Sequence, residues 1–130
     1  MTLHKTERLK SRSVIQALFA NKQSFSLFPF RIMYNITASD IAKLEASFGV
    51  SSKRFGKATD RNRIKRLMRE SYRLEKNDLK NQVKDTNQYM AIMLVYTGNA
   101  LPEFNDFQDK LQAVIRRLIK ISNEKNSSTT

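Results

Sequence analysis

Arg61, Lys65 and Arg69 recur at every fourth residue, with Arg63, Arg66 and Arg73 placed among and after them. Side chains of this type at this spacing make a row of permanent positive charge, and the chemistry of such a row is the neutralisation of phosphate. The row is the centre of a window from Lys53 to Arg73 with nine Lys or Arg against two acids, Asp60 and Glu70. The window alone carries +7 of the chain's +12. At about 100° per residue from Arg61, the residues Ile64, Leu67, Met68, Ser71 and Leu74 fall within about 220–340°, an arc suited to packing on a core. Arg61, Asn62, Lys65, Arg66, Arg69 and Arg73 fall within about 0–140°, with Tyr72 at the edge and Glu70 and Glu75 outside. Ordinary surface helices place opposite charges at i and i+4, and like charges there repel by a few tenths of a kcal/mol. A segregated, unpaired stripe therefore reads as a polyphosphate-binding face rather than a solvated one.

Other chemistries find little support. His4 is the only histidine and stands in the polar N-terminal stretch, so general-base work falls to nothing in the centre of the chain. There is no cysteine, hence no thiolate metal site or disulfide framework, and no glycine-rich phosphate loop. The carboxylates are scattered. Asp106 and Asp109 share a helical face but sit beside Lys110 and suit a polar helix start, and Asp60 reads as a helix N-cap rather than a metal ligand. A chain of 130 residues, 40% hydrophobic, predicts one domain with a modest core, and a pI near 10.2 points to nucleic acid. No apolar segment reaches membrane-spanning length, and no signal-like apolar region follows Lys5, Arg8, Lys10 and Arg12, so secretion is not expected. The Asn35-Ile36-Thr37 and Asn126-Ser127-Ser128 glycosylation patterns read as chance in such a chain.

The elements that must position the basic row follow from periodicity. Residues 1–10 look like a basic tail. Ser11 or Ser13 caps a short helix to about Ala20, with Val14, Ile15, Leu18 and Phe19 at helical spacing, and Asn21-Lys22 turns the chain. Phe25–Thr37 is aromatic and β-branched, and Pro29 divides it into a short edge piece and a longer strand. In that strand Phe30, Ile32, Tyr34 and Ile36 alternate with Arg31, Met33, Asn35 and Thr37. After a turn at Ala38-Ser39-Asp40, Leu44, Ala46, Phe48 and Val50 alternate as the partner strand of a hairpin. A polar basic loop, 51–59, precedes the basic helix, which runs from Asp60 to about Glu75 or Lys80. Gln88–Tyr96 is an almost unbroken apolar run, expected as a buried central strand. Glu103 to Ile121 has the spacing of an amphipathic helix. The predicted domain is residues 1–121, followed by a disordered polar tail, 122–130. The class is α+β, a single domain in the order α-β-β-β-α-β-α with helices on one small sheet.

These residues, in this order, resemble the protein component of bacterial ribonuclease P. The resemblance rests on Ser52-Lys53-Arg54-Phe55-Gly56, on Ala58, and on the run from Arg61-Asn62-Arg63 through Glu70. It extends to Arg8-Leu9, to Phe30, and to the last strand and helix, leaving out only the polar end of the chain. It implies a four-stranded sheet of the ribosomal-protein-S5 domain-2-like kind, with a left-handed β-α-β crossover where about 98% of such connections are right-handed. It further implies that the protein joins a large catalytic RNA and helps it remove the 5′ leader of precursor tRNA in the bacterial cytoplasm. Mg2+ would be held by that RNA, with no cofactor, membrane or obligate protein partner for the protein itself.

Carried over position by position and joined to the helical count, this gives an RNA-binding set of Lys53, Arg54, Lys57, Arg61, Asn62, Arg63, Lys65, Arg66, Arg69 and Arg73. A leader cleft is expected from Ile15, Phe19, Arg31, Met33, Lys65 and Arg69. Ile15 and Met33 stand where many relatives carry aromatic or basic residues. Base-on-aromatic stacking is worth about 1–3 kcal/mol per base, so the grip on a leader is expected to be weaker or differently placed. Phe25, Phe28 or Tyr34 are candidates to compensate, although Tyr34 shares the alternation of the core. Phe19 fits a core contact and the cleft equally well. Two other classes carry similar charge: a structural rRNA-binding protein, and a DNA-binding module using residues 60–75. The uniform stripe suits backbone contact better than base readout.

Overall fold

The computed structural model describes residue 9 and residues 11–20 and 23–128. Helix α1 spans Arg12–Ala20, and strands β1, Ser24–Leu27, β2, Phe30–Ala38, and β3, Lys43–Val50, follow. Helices α2, Ala58–Glu75, and α3, Asn77–Asp85, lead into β4, Gln88–Tyr96, and the chain closes with α4, Phe104–Ser128. With α2 and α3 taken as one arm the order is α-β-β-β-α-β-α.

One four-stranded sheet is formed, in the order β1-β2-β4-β3. The expected β2–β3 hairpin is absent. Instead β4 lies between them, antiparallel to β2 with Ile36 opposite Met90, and parallel to β3 with Ala46 opposite Ile92. The reason is burial: β4 is apolar on both faces, and a central position shields both its faces and both its edges. Pro29 does divide two strands. β1 is a short edge, paired to β2 with Phe25 opposite Ile32.

Strand alternation gives the sheet two faces. Phe30, Ile32, Ile36, Leu44, Ala46, Met90, Ile92, Leu94 and Tyr96 join Ile64, Met68 and Tyr72 of α2, Leu79 and Val83 of α3, and Phe107, Leu111, Val114 and Leu118 of α4 in the main core. Phe107 stacks edge-on against Phe30, ring centroids 4.8 Å apart, and lies 5.7 Å from the Tyr96 ring. Such pairs add about 0.5–1.5 kcal/mol to the burial of their rings. Tyr34 lies 6.1 Å from Phe25 on this same side, so it belongs to the core. The other face carries a smaller cluster of Leu9, Leu18, Met33, Ala91 and Met93, with Val14 and Ile15 of α1 against it. α1 is seated there, its Ser11 hydroxyl accepting the Val14 amide as an N-cap. Leu9 was expected in a loose tail, but it is buried and its amide donates to the Ala46 carbonyl of β3. The remainder of residues 1–10, including His4, and the Asn21-Lys22 turn lie outside the described residues.

Two further expectations are corrected, and a third is extended. Asp60 is not the cap of the basic helix. Lys57 holds that position without a side-chain bond, and Asp60 lies in the first turn, where its charge still suits the helix dipole. The basic helix ends at Glu75, within its expected bounds, but the helical path goes on. Lys76 keeps a right-handed helical backbone, the amides of Lys76 and Lys80 donate four residues back, and α3 carries the path on to Asp85. The end of the chain is not a disordered tail from residue 122, since α4 continues to Ser128. The cause is a buried polar network. Ser122 is fully buried, its hydroxyl bonded to the Gln88 side chain, while Gln88 Nε2 donates to the Ser122 carbonyl at 3.2 Å and Gln82 Nε2 to Asn123 Oδ1 at 2.6 Å.

Candidate nucleic-acid interface

Helix α2 presents the basic row, but packing shifts the arc read from periodicity. Tyr72 is buried with its ring against Phe48 of β3, centroids 5.6 Å apart, whereas Leu74, placed in the apolar arc, is exposed. The Tyr72 phenol is pushed up by burial and stays neutral. Within the buried arc, at about 320°, Glu75 accepts Gln108 and Gln112 of α4 at 2.9 and 3.0 Å. Lys65 and Arg69 follow Tyr72 in the helical count, at about 40° and 80° against about 20°. Half-buried, they lie on the flank toward the outer edge of β3. Asn62, Arg63 and Arg66 are exposed.

The stripe is not wholly unpaired. Glu70, expected outside it, reaches Arg73 with Oε1 2.6 Å from the guanidinium, and that hydrogen bond holds the Glu70 carboxyl below its ordinary range. Arg61 donates to the carbonyls of Phe55 and Gly56 at 2.8 and 2.9 Å, closing the loop before the helix. Arg54 donates to the Thr97 carbonyl and Asn99 Oδ1 at 2.8 and 2.7 Å. It therefore ties the loop between β3 and α2 to the one after β4. Gly98 in that second loop has no room for a Cβ, which would collide with the Tyr96 ring. Among the described residues, Lys53, Lys57, Arg63, Lys65, Arg66 and Arg69 have no ion pair.

The expected cleft residues divide between the two faces. Ile15 and Met33 come together in the small cluster under α1, where Met33 is 5% exposed and forms the floor. Arg31 is exposed on the same face of β2, two residues from Met33. Phe19 is 59% exposed, so it is not the core contact; Leu18 beside it is fully buried in that role. Lys65 and Arg69 stand on α2, which packs on the opposite side of the sheet. Of the compensating aromatics, Phe25 lies on the core side with the Arg117 guanidinium 4.8 Å over its ring, and Phe28 is exposed in the β1–β2 turn. Periodicity missed Glu45 on β3, which accepts the Tyr89 hydroxyl at 2.6 Å and pairs with Lys43 at 3.5 Å. Burial first, then Glu45, pushes the Tyr89 phenol up, so it remains a donor. Among the described residues no three His, Cys, Asp or Glu side chains group as metal ligands, and no helix is long and apolar enough to cross a membrane.

A small α+β domain carries exposed arginines without ion pairs on one helix and a second face partly covered by a short helix, which makes it a small basic protein with a charged face open to an anionic partner. The ribonuclease P family model matches residues 3–119, and the chain belongs to that family. It is 33% identical to the ribonuclease P protein component of Porphyromonas gingivalis, over 97% of this chain and 90% of the relative. It is 29% identical to that of Chlorobium phaeobacteroides, over 90% and 88%. Among solved structures, the RNase P protein of Staphylococcus aureus superposes with a TM-score of 0.64 at 21% identity, covering 86% of this chain and 94% of that one. The RNase P protein of Thermotoga maritima gives 0.64 at 22%, covering 85% and 96%. Membership makes the chain part of a ribonuclease complex built with the ribonuclease P RNA.

Proposed function

We propose that the protein binds the catalytic RNA of ribonuclease P and the 5′ leader of precursor tRNA, so that an RNA-borne active site removes the leader. The observation that carries this reading is the exposed trio Asn62, Arg63 and Arg66, side chains with no partner in the described protein on a helix whose other face is buried. They contact phosphates of the catalytic RNA, together with Lys53 and Lys57 of the preceding loop. Arg54 and Arg61 shape that loop and offer their remaining N–H groups, and Arg73 does so once it leaves Glu70. The leader runs along the α1 side of the sheet, past Phe19, Ile15 and Arg31 over Met33, with Lys65 and Arg69 adding charge from beyond the edge of β3. The protein's contribution is positioning and charge neutralisation. Mg2+ is held by RNA phosphates, and the setting is the bacterial cytoplasm.

Reconstitution with the catalytic RNA at low Mg2+ tests the reading. Added protein should accelerate leader removal, and an unchanged rate would sink the proposal. For a single-stranded leader the log–log salt slope is about −0.7 per phosphate, so four or five contacts give about −3. Lys65→Ala or Arg69→Ala should flatten that slope and weaken precursor binding more than mature tRNA binding. Equal losses for both would remove these two residues from the leader path.

A further inference from the structure

The helical arm does not end its basic face where α2 ends. Counted on from Arg61 at about 100° per residue, Lys80 and Lys84 of α3 fall at about 100° and 140°, the directions of Asn62 and Arg66. Both are exposed, and neither has an ion pair among the described residues. The two acids of α3, Asp78 and Asp85, fall at about 260° and 240°, away from the lysines. Burial first, then the charge of Lys80, pushes the Lys76 ammonium down.

The lysines line a groove rather than a convex surface. Between α3 and the segment entering β3 lies a cavity of about 490 Å³, bounded by Lys80, Lys84 and Val83 on one side and Lys43, Leu44 and Asp40 on the other. Three lysines against one aspartate leave the groove net positive, although Lys43 also faces Glu45. No aromatic side chain lines it, so there is no platform for an unstacked base. Lysine ammonium groups act as point charges toward phosphate and carry no base readout. A groove of this chemistry suits a helix whose bases are already stacked and paired, met through its backbone.

We propose that this groove binds backbone phosphates of base-paired RNA, a second anchoring site for the catalytic RNA beyond the α2 face. The inference rests on the RNA-binding reading above. It extends the phosphate-facing surface along the whole α2–α3 arm and around to the entry of β3.

The test removes two charges from the groove, Lys80→Gln with Lys84→Gln, and as a control two from the exposed face of α4, Arg116→Gln with Lys120→Gln. Affinity for the catalytic RNA is measured across a salt series. Loss of two phosphate contacts should make the log–log slope shallower by about 1.4–1.8 and lower affinity about tenfold or more at physiological salt. The α4 control should change neither by a comparable amount. A short RNA duplex should follow the catalytic RNA, while a single-stranded leader oligonucleotide should bind the groove variant as it binds the parent. If the groove and control variants are indistinguishable, or the single strand loses as much as the duplex, the groove assignment is overturned. If that occurs while Arg63→Ala with Arg66→Ala still weakens binding and flattens the salt slope, the functional reading stands alone. A parent protein that binds no RNA would overturn both.

Discussion

Arg61 and Arg66 belong to the same basic arc, yet the structure gives Arg61 partners inside the protein and leaves Arg66 exposed, and substitution should separate the two. Arg61 spends its guanidinium on two carbonyls, those of Phe55 and Gly56. Phe55 is buried against Tyr96, so its carbonyl sits in a poorly hydrated place, while Gly56 is exposed. A hydrogen bond from a charged donor contributes about 1.5–3 kcal/mol where water is excluded, and much less where the acceptor rehydrates. Arg61→Ala should therefore cost about 1–2 kcal/mol. An unfolding entropy of about 2.1 cal/mol/K per residue over a chain of this size converts that into a Tm lower by about 4–8 °C. Arg63→Ala with Arg66→Ala touches two exposed side chains and should stay within about 0.5 kcal/mol of the parent, about 2 °C. In RNA binding the ranking reverses. The double variant should lose two phosphate contacts and flatten the salt slope by about 1.4–1.8, whereas Arg61→Ala should change it by less than one contact. Thermal melts followed by circular dichroism and filter binding across a salt series give both numbers. Equal melting temperatures for the two variants, or a double variant with the parent's slope, would refute the division.

Three other perturbations follow from the same contacts. Glu70→Gln releases Arg73 and removes an acid from the basic face, so RNA should bind about two- to fivefold more tightly, the size of one exposed pair. Because the folded Glu70 carboxyl is held below its ordinary 4.5, its contribution is present above that pH and fades as pH falls through the lowered value; Glu70→Gln should flatten acid unfolding there, and an unchanged acid limb would count against the pairing. Ser122→Ala removes one bond to Gln88 Oε1, which keeps the Thr86 hydroxyl, while the Ser122 carbonyl still accepts Gln88 Nε2, so stability should fall by about 0.5–1.5 kcal/mol; a Tm within about 1 °C of the parent would show that the Ser122 hydroxyl is not what holds the end of α4. Leu18→Ala empties the small cluster under α1 at a cost of about 2–5 kcal/mol. Because α1 is seated by that cluster, hydrogen exchange should rise in α1 while α2 and α4 stay protected, and uniform loss of protection would refute a separate seat.

What periodicity could read was whatever neighbours in sequence decide. The 3.6-residue rhythm marked α1, α2 and α4, and Pro29 marked the break between β1 and β2. Strand pairing was not of that kind. Ala38-Ser39-Asp40 between two alternating strands is what a hairpin looks like locally, but β4, fifty residues from β2, out-competes β3 because it alone must be covered on every side. The same limit governs the site. Charge pattern located the stripe, while the partners of Arg54, Arg61 and Arg73 are carbonyls and a carboxylate whose reach depends on loop path. Lys80 and Lys84 were legible in principle, since the angular count that ordered α2 continues into α3; stopping it at Glu75 hid them. Lys43 was not legible, because only the parallel β3–β4 pairing brings it beside α3.

The partition of arginines bears on how a protein this basic folds before any RNA arrives. A row of like charges opposes its own helix by a few tenths of a kcal/mol per pair, and net +12 adds a diffuse repulsion to the compact state. The structure relieves this at particular points: Arg54 and Arg61 turn inward to carbonyls, Arg73 to Glu70, and Arg117 to the face of Phe25. These residues act as positive ends of internal contacts and stiffen the loops and edges that frame the interface. Arg63, Arg66, Lys80 and Lys84 are left to the solvent, with no ion pair in the described protein. In the proposed complex they would displace cations condensed on the RNA phosphates, and the favourable entropy of that release would drive association. On the proposed reading, stability in the free protein and affinity for RNA rest on different basic residues, which is why single substitutions should separate them.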